Sequence, residues 1–184
     1  LIILLVLVAA FVIWGSTPAR PTSAALAALQ SDTQVRVTQD SSLITFSPVS
    51  EPGDTAFIFY PGGRVDYRAY SGSLHQISAG GFEVYSVEMP LSLAVFGINK
   101  ADAIIRDHPE IENWVIAGHS LGGAMAAAYA SNHSDTISGL VLWASYATES
   151  ADLSMKNMPV LSISASNDGL STPAKIKEYS QFLP

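Results

Sequence analysis

Apolar runs with the length of a β-strand recur along the chain, separated by segments with the length and polarity of surface helices. From residue 34 onward, apolar or β-branched runs predict strands at 34–38, 42–46, 56–60, 82–87, 114–117, 139–144 and 160–165. The last two of these strands are expected to be buried. Helices are predicted at 66–79, 93–107, 121–131 and 173–182. This alternation is typical of an α/β fold, with a mostly parallel sheet and helices on both faces. The first two runs, joined by a polar turn, predict an antiparallel hairpin at the leading edge of the sheet.

The first fourteen residues are apolar without a break, and Gly15 and Pro18 end the run. A helix of that length spans about 21 Å, short of the roughly 30 Å hydrocarbon core of a membrane. The core of a signal peptide and a buried helix are alternatives, but we favour an uncleaved anchor. If further residues precede Leu1, this anchor is long enough for a transmembrane helix. The expected organisation is a hydrophobic anchor or signal segment at 1–16, a tether at 17–33 and an α/β domain at 34–184. The domain is then expected outside the cytoplasm, anchored to the membrane or exported after cleavage.

The chain begins at Leu1 without a Met and stops at Pro184, within or just after a predicted helix. We therefore expect a fragment whose α/β domain is incomplete at its C-terminus.

Charge and cysteine content exclude several classes of function. The formal net charge is −7, without a cluster of Lys and Arg, so nucleic acid is a poor partner. The chain has no Cys, which excludes a disulfide framework, a thiolate zinc site and a cysteine nucleophile. No set of His, Asp and Glu has the spacing of metal ligands, and no phosphate-binding loop is present. We therefore expect neither a metal ion nor a cofactor.

The most informative segment joins the strand at 114–117 to the helix at 121–131 through the turn Gly-His-Ser-Leu-Gly at 118–122. An apolar strand, this turn and an Ala-rich helix together indicate a nucleophile elbow, in which Ser120 is raised on a strained bend. Gly118 and Gly122 flank the serine where side chains would collide with neighbouring elements. The helix begins after Ser120, so its free N–H groups face any negative charge formed there.

Two other strand ends carry residues that suit the same chemistry, because reactive groups gather at the carboxyl ends of parallel strands. The turn at 61–64 exposes backbone N–H groups, and an oxyanion hole needs two such donors. We expect them to be Leu121 N–H and Gly63 N–H, with Arg64 N–H as the alternative to Gly63. Asp168 follows the last predicted strand and is the expected acid of a catalytic triad. Glu149 and Asp152 are the alternatives for that acid.

A serine nucleophile needs a base to accept its proton, and none of the four histidines suits that role. His119 adjoins Ser120, so its side chain leaves the turn in another direction. His75 falls within a predicted helix, His108 lies in a loop, and His133 lies at a helix end. We expect the catalytic histidine to lie outside this chain, beyond residue 184.

These segments together resemble the α/β-hydrolase superfamily: GHSLGG at 118–123, FYPGG at 59–63 and SNDG at 166–169. The resemblance covers roughly residues 35–184 and is closest to small, lid-poor members similar to dienelactone hydrolases and lysophospholipases. It implies Ser120 as nucleophile, Gly63 and Leu121 as oxyanion donors, and Asp168 as the acid. Dienelactone hydrolases use a cysteine nucleophile, so their substrate does not carry over.

The leading hypothesis is therefore an esterase-like serine hydrolase that acts on a small-molecule acyl substrate through an acyl-enzyme. Only residues 145–157 separate two strands between which many members of this fold carry a lid, which favours an open site. One alternative is a membrane-tethered binding protein of the same fold without turnover. Another is an acyltransferase that uses the same nucleophile with an acceptor other than water.

Overall fold

Seven strands form one sheet in the computed structural model, which describes all 184 residues. The strands are β1 (Val35–Gln39), β2 (Leu43–Pro48), β3 (Thr55–Tyr60), β4 (Glu83–Val87), β5 (Asn113–His119), β6 (Ile137–Trp143) and β7 (Val160–Ile163). Their order across the sheet is β1-β2-β4-β3-β5-β6-β7. All pairs from β4 onward are parallel, whereas β2 is antiparallel to both β1 and β4. The predicted mostly parallel sheet with an antiparallel hairpin at its edge is confirmed.

Six α-helices accompany the sheet: α1 (Ile2–Gly15), α2 (Ser23–Ala27), α3 (Ser71–Ala79), α4 (Ala101–Asp107), α5 (Leu121–Asn132) and α6 (Pro173–Tyr179). A 3-10 turn at Tyr67–Tyr70 precedes α3, and another at Ser180–Phe182 follows α6. Each turn and its helix together correspond to one predicted helix.

Alternate residues of the central strands pack into two separate apolar cores. Ile58 and Ile116 belong to the larger core, together with side chains of α4 and α5. Phe59 and Ala117, one position further along the same strands, belong to the smaller core with Leu74 of α3. Because successive side chains of a strand point to opposite faces, helices cover both faces of the sheet, as predicted.

Two sequence expectations are wrong in detail. The helix predicted at 93–107 is broken into two 3-10 turns, Ala94–Phe96 and Ile98–Lys100, before α4 begins at Ala101. Gly97 lies within this region, and a Cβ there would be 2.7 Å from the sulfur of Met89, so close packing overrides local helix propensity. The strand β7 was expected to be buried, but it is the edge strand of the sheet and most of its residues are exposed.

The N-terminal helix α1 is attached to the domain at its C-terminal end, although most of its apolar side chains are exposed. Arg64 Nε donates to Trp14 O at 3.1 Å, Arg64 Nη2 donates to Thr17 O at 2.7 Å, and the guanidinium lies 4.5 Å from the centre of the Trp14 ring. Neither α1 nor any other helix combines the length and apolar character needed to cross a membrane. The structure thus gives the predicted transmembrane helix no support.

Candidate active site

Ser120 lies between the last residue of β5 and the first residue of α5, at the carboxyl end of the sheet. Its backbone angles are φ 50° and ψ −121°, a left-handed conformation that a residue with a Cβ rarely adopts. Such a conformation costs about 1–3 kcal/mol and persists only where the surroundings enforce it. The side chain does not cap α5, and the residue is partly exposed. The turn predicted from the glycine spacing is therefore a sharp strand-to-helix bend.

The glycines around Ser120 permit a close approach of backbone segments. A Cβ on Gly118 would lie 2.5 Å from the carbonyl carbon of Gly122, and a Cβ on Gly122 would overlap the carbonyl oxygens of Tyr60 and Pro61. Residues with side chains at 118 and 122 would push α5 away from the ends of β5 and β3. The glycine pattern thus sets the angle of the bend.

Hydrogen bonds to the backbone N–H and C=O groups of Ser120 hold this residue in place. Ser120 N donates to Trp143 O at 2.9 Å, and Ser145 Oγ donates to Ser120 O at 2.7 Å. Ala124 N also donates to Ser120 O, at 3.1 Å. Ser145 is buried and has no other hydrogen-bond partner. Both sides of the strained residue are therefore fixed, one to the last residue of β6 and the other to Ser145, which follows that strand.

The glycine turn after β3 lies directly beside this bend, because Tyr60 and Gly118 are paired in the parallel ladder. Gly62 N donates to Tyr70 Oη at 2.9 Å, whereas the N–H groups of Gly63 and Leu121 donate to no other group of the chain. A Cβ on Gly63 would lie 3.1 Å from Leu121 Cδ2, so the two residues are in contact. The structure thus brings together the two predicted donors, and of the two glycines only Gly63 has its N–H free. Arg64 N, the alternative donor, is engaged elsewhere because it donates to Ser92 O at 2.7 Å.

Asp168 lies in the loop after β7. Its Oδ1 accepts hydrogen bonds from the N–H groups of Leu170 at 2.8 Å and Ser171 at 2.9 Å, and these bonds lower the pKa of the carboxyl below its ordinary value. Ser171 Oγ donates to Ala144 O at 2.6 Å and ties this loop to the end of β6. Burial lowers the pKa of the ring of His119, the neighbour of Ser120, and the negative charge of Asp168 opposes this shift without cancelling it.

The alternative acids are placed differently. Glu149 and Asp152 are both exposed, and Oδ1 of Asp152 accepts the N–H of Ser154 at 2.8 Å in a local turn.

Three of the four histidines are engaged elsewhere. His75 Nδ1 bonds Ala28 O at 2.9 Å, His108 Nδ1 bonds Glu110 Oε1 at 3.0 Å, and the His133 ring stacks on Tyr129 with 4.0 Å between centroids. The ring of His119 turns away from the helix towards the other glycine turn, where Nδ1 lies 2.9 Å from Tyr70 Oη. Burial lowers the pKa of His119 against the opposing charge of Asp168.

Three residues that support the site were not found from the sequence: Tyr70, Ser145 and Ser171. Each acts through a hydrogen bond to a residue at least eight positions away along the chain. Neither apolar periodicity nor a local motif carries information about such partners.

The sequence matches the Alpha/beta hydrolase family over residues 56–184. The fold is similar to that of MGS-MChE2, an alpha/beta hydrolase enzyme from the metagenome of sediments from the lagoon of Mar Chica, Morocco, with a TM-score of 0.63 and 16% identity over 81% of this chain and 84% of that one. It is also similar to dienelactone hydrolase from Anabaena variabilis, with a TM-score of 0.65 and 14% identity over 82% of each chain. An alpha-beta serine hydrolase homologue from Coxiella burnetii gives a TM-score of 0.60 and 15% identity over 84% of each chain. No curated protein sequence matches the chain.

Proposed function

The chain belongs to the alpha/beta hydrolase family, and from this premise we propose that it is a serine hydrolase that cleaves an ester-type bond through an acyl-enzyme on Ser120. The observation that carries the proposal is the conformation of Ser120, with φ at 50° on a bend between β5 and α5. Strain of this kind is concentrated at functional positions, because an unstrained turn would serve a merely structural role equally well. The free N–H groups of Gly63 and Leu121 support the proposal, since an acyl-transfer site needs donors for the oxyanion.

In the proposed reaction, Ser120 Oγ attacks the carbonyl carbon of the ester while a base accepts the hydroxyl proton. The carbonyl oxygen becomes an oxyanion that receives hydrogen bonds from Gly63 N–H and Leu121 N–H. Collapse of this intermediate breaks the bond to the alcohol oxygen, which takes the proton from the base and leaves. Water then attacks the acyl-enzyme in the same way and releases the acid, so that Ser120 regains its proton.

The base is proposed to be a histidine outside residues 1–184, because the four histidines of the chain make the other contacts described above. Asp168 is proposed to orient that histidine. The hydrogen bonds from Leu170 and Ser171 keep the carboxyl ionised at neutral pH, and they occupy only Oδ1. Oδ2 is then available to accept the N–H of an imidazole ring.

The test uses the full-length protein with a fluorophosphonate probe, which labels only an activated serine, and with p-nitrophenyl acetate. We expect labelling and hydrolysis in the unchanged protein and neither in the Ser120→Ala variant. Ser150→Ala, an exposed serine in the loop after β6, is the matched control. Undiminished turnover in Ser120→Ala would remove this residue from the mechanism. An unlabelled wild-type protein would favour the binding-protein alternative. Labelling together with p-nitrophenol release that an added alcohol accelerates, with the acyl group recovered as an ester of that alcohol, would favour acyl transfer.

Membrane attachment through residues 1–16, with the domain outside the cytoplasm, is a separate proposal supported by the exposed apolar side chains of α1. We expect the protein to sediment with membranes and to be released by detergent but not by high salt. Replacing Leu4 and Leu7 together by Glu is expected to move it to the supernatant, because burial of a charge in hydrocarbon is costly. Gln30→Glu, in the exposed tether, is the control. Continued sedimentation of the double variant would contradict the proposal.

A further inference from the structure

We propose that Tyr70 and His119 are positioning residues that fix the Gly62–Gly63 turn for oxyanion binding; this inference rests on the proposed function. The observation behind it is a chain of two hydrogen bonds between separate parts of the site. Gly62 N donates to Tyr70 Oη at 2.9 Å, and Tyr70 Oη lies 2.9 Å from His119 Nδ1. Because His119 directly precedes Ser120, this chain links the turn that offers Gly63 N–H to the strand that ends at the nucleophile.

The direction of the second bond follows from the first. The Tyr70 hydroxyl is partly buried, and its oxygen already accepts the proton of Gly62 N–H, so its own single proton has one acceptor within reach in the chain. His119 Nδ1 is that acceptor, so the ring is neutral and carries its proton on Nε2. The opposite direction would leave the Tyr70 proton without a partner within the chain.

Close packing gives independent support for the linkage. A Cβ on Gly62 would lie 2.6 Å from His119 Nδ1 and 3.0 Å from Tyr70 Oη, so the turn fits against both groups only as glycine. The Tyr70 ring packs on Phe59, with 4.7 Å between ring centroids, and the Phe59 ring packs on Trp143 at 4.8 Å. These packed rings support the Tyr70 ring and so fix the position of its hydroxyl.

The hydrogen bonds orient a segment that would otherwise be free to rotate. Tyr70 holds the peptide between Pro61 and Gly62 through its N–H, and Val65 N holds the next peptide by donating to Gly62 O at 3.1 Å. The second peptide carries the Gly63 N–H. Two adjacent glycines have wide conformational freedom, so these bonds select the orientation in which Gly63 N–H stays free beside Leu121. Preorganised donors of this kind stabilise a developing oxyanion without reorganisation during the reaction.

The decisive variants remove one atom or one acceptor from the linkage. Tyr70→Phe keeps the ring packing and removes only the hydroxyl. His119→Leu removes the acceptor, whereas His119→Asn keeps an acceptor oxygen near the position of Nδ1. Tyr67→Phe, which removes the hydroxyl of a neighbouring tyrosine, is the matched control.

In the full-length protein we expect Tyr70→Phe and His119→Leu to lower kcat for p-nitrophenyl acetate about tenfold to a hundredfold, with KM unchanged. His119→Asn is expected to retain most of the activity, and Tyr67→Phe all of it. A merely structural role would not produce this split between kcat and KM, nor the rescue by Asn. Amide exchange at Gly62 provides a readout without turnover: its protection should fall in Tyr70→Phe and stay unchanged in Tyr67→Phe.

Wild-type kcat in Tyr70→Phe, measured in an active enzyme, would overturn this inference and leave the proposed function intact. Absence of serine labelling in the unchanged protein would overturn the proposed function and this inference with it. If Tyr70→Phe does not fold, equal kcat in His119→Leu and His119→Asn would overturn the inference instead.

Discussion

Ser145 Oγ donates a hydrogen bond to the main-chain oxygen of Ser120 at 2.7 Å, across two neighbouring parallel strands. Ser145 follows β6, and its Cβ would lie 2.6 Å from a Cβ built on Gly123, so the side chain packs directly against the first turn of α5. A residue outside the Gly-His-Ser-Leu-Gly turn at 118–122 therefore helps to hold the strained serine in its conformation.

Replacement of Ser145 by Ala tests this support. The buried hydroxyl is lost while Ser120 O keeps its bond from Ala124 N, so we expect the free energy of unfolding to fall by about 1 kcal/mol. Urea unfolding measures this difference, with the exposed Ser150→Ala as the control. Equal stability of the two variants would show that the hydrogen bond to Ser120 contributes nothing.

The close approach at Gly122 predicts a larger effect. A Cβ there would overlap the carbonyl oxygens of Tyr60 and Pro61, so we expect Gly122→Ala to lower the free energy of unfolding by about 3 kcal/mol. Gly72 lies in the first turn of α3 with nothing within 4 Å of its Cβ position. Gly72→Ala should therefore raise stability by about 0.5 kcal/mol, because Ala is the better helix former. Similar effects at the two glycines would refute the packing argument.

The left-handed conformation of Ser120 predicts an order of stability between two inactive variants. Both Ser120→Ala and Ser120→Gly remove the hydroxyl, but only Ala keeps a Cβ at a φ of 50°. We expect the Gly variant to be more stable than the Ala variant by about 1 kcal/mol, since the relief of strain exceeds the extra entropy of the unfolded glycine. Thermal or urea unfolding gives the comparison. A more stable Ala variant would mean that residue 120 is not strained in solution.

The sheet could be predicted from the sequence because its strands are short apolar or β-branched runs, and the central ones, such as the run around Ile116, are buried on both faces. The bend at Ser120 could be predicted because Gly118 and Gly122 lie against backbone atoms of other elements. Only glycine fits at these two positions, so the bend appears in the sequence as two glycines at a fixed spacing. The broken helix before Ala101 could not, because the contact of Gly97 with Met89 is tertiary. The same holds for Tyr70 and His119, which lie 49 positions apart and are joined by one hydrogen bond.

The pKa of His119 predicts how stability changes with pH. Burial is the largest influence and lowers the pKa of the ring below its ordinary value of 6.5, while the charge of Asp168 acts in the opposite direction. Tyr70, from the turn before α3, and Asp168, from the loop after β7, are the titratable groups that face this ring. Protonation in the folded protein would place a proton on Nδ1 and remove the acceptor of the Tyr70 hydroxyl.

Between pH 6.5 and the lower folded pKa, the unfolded chain binds more protons than the folded protein, so acidification favours unfolding. The contribution of His119 to stability is complete above pH 6.5 and is lost as the pH falls through the folded pKa. The carboxyl of Asp168, whose pKa is also lowered, titrates at more acidic pH. We expect urea unfolding from about pH 8 to about pH 5 to show a steeper loss of stability in the wild type than in His119→Asn, which cannot titrate. The other three histidines are common to both proteins, so parallel curves would contradict a buried, neutral His119.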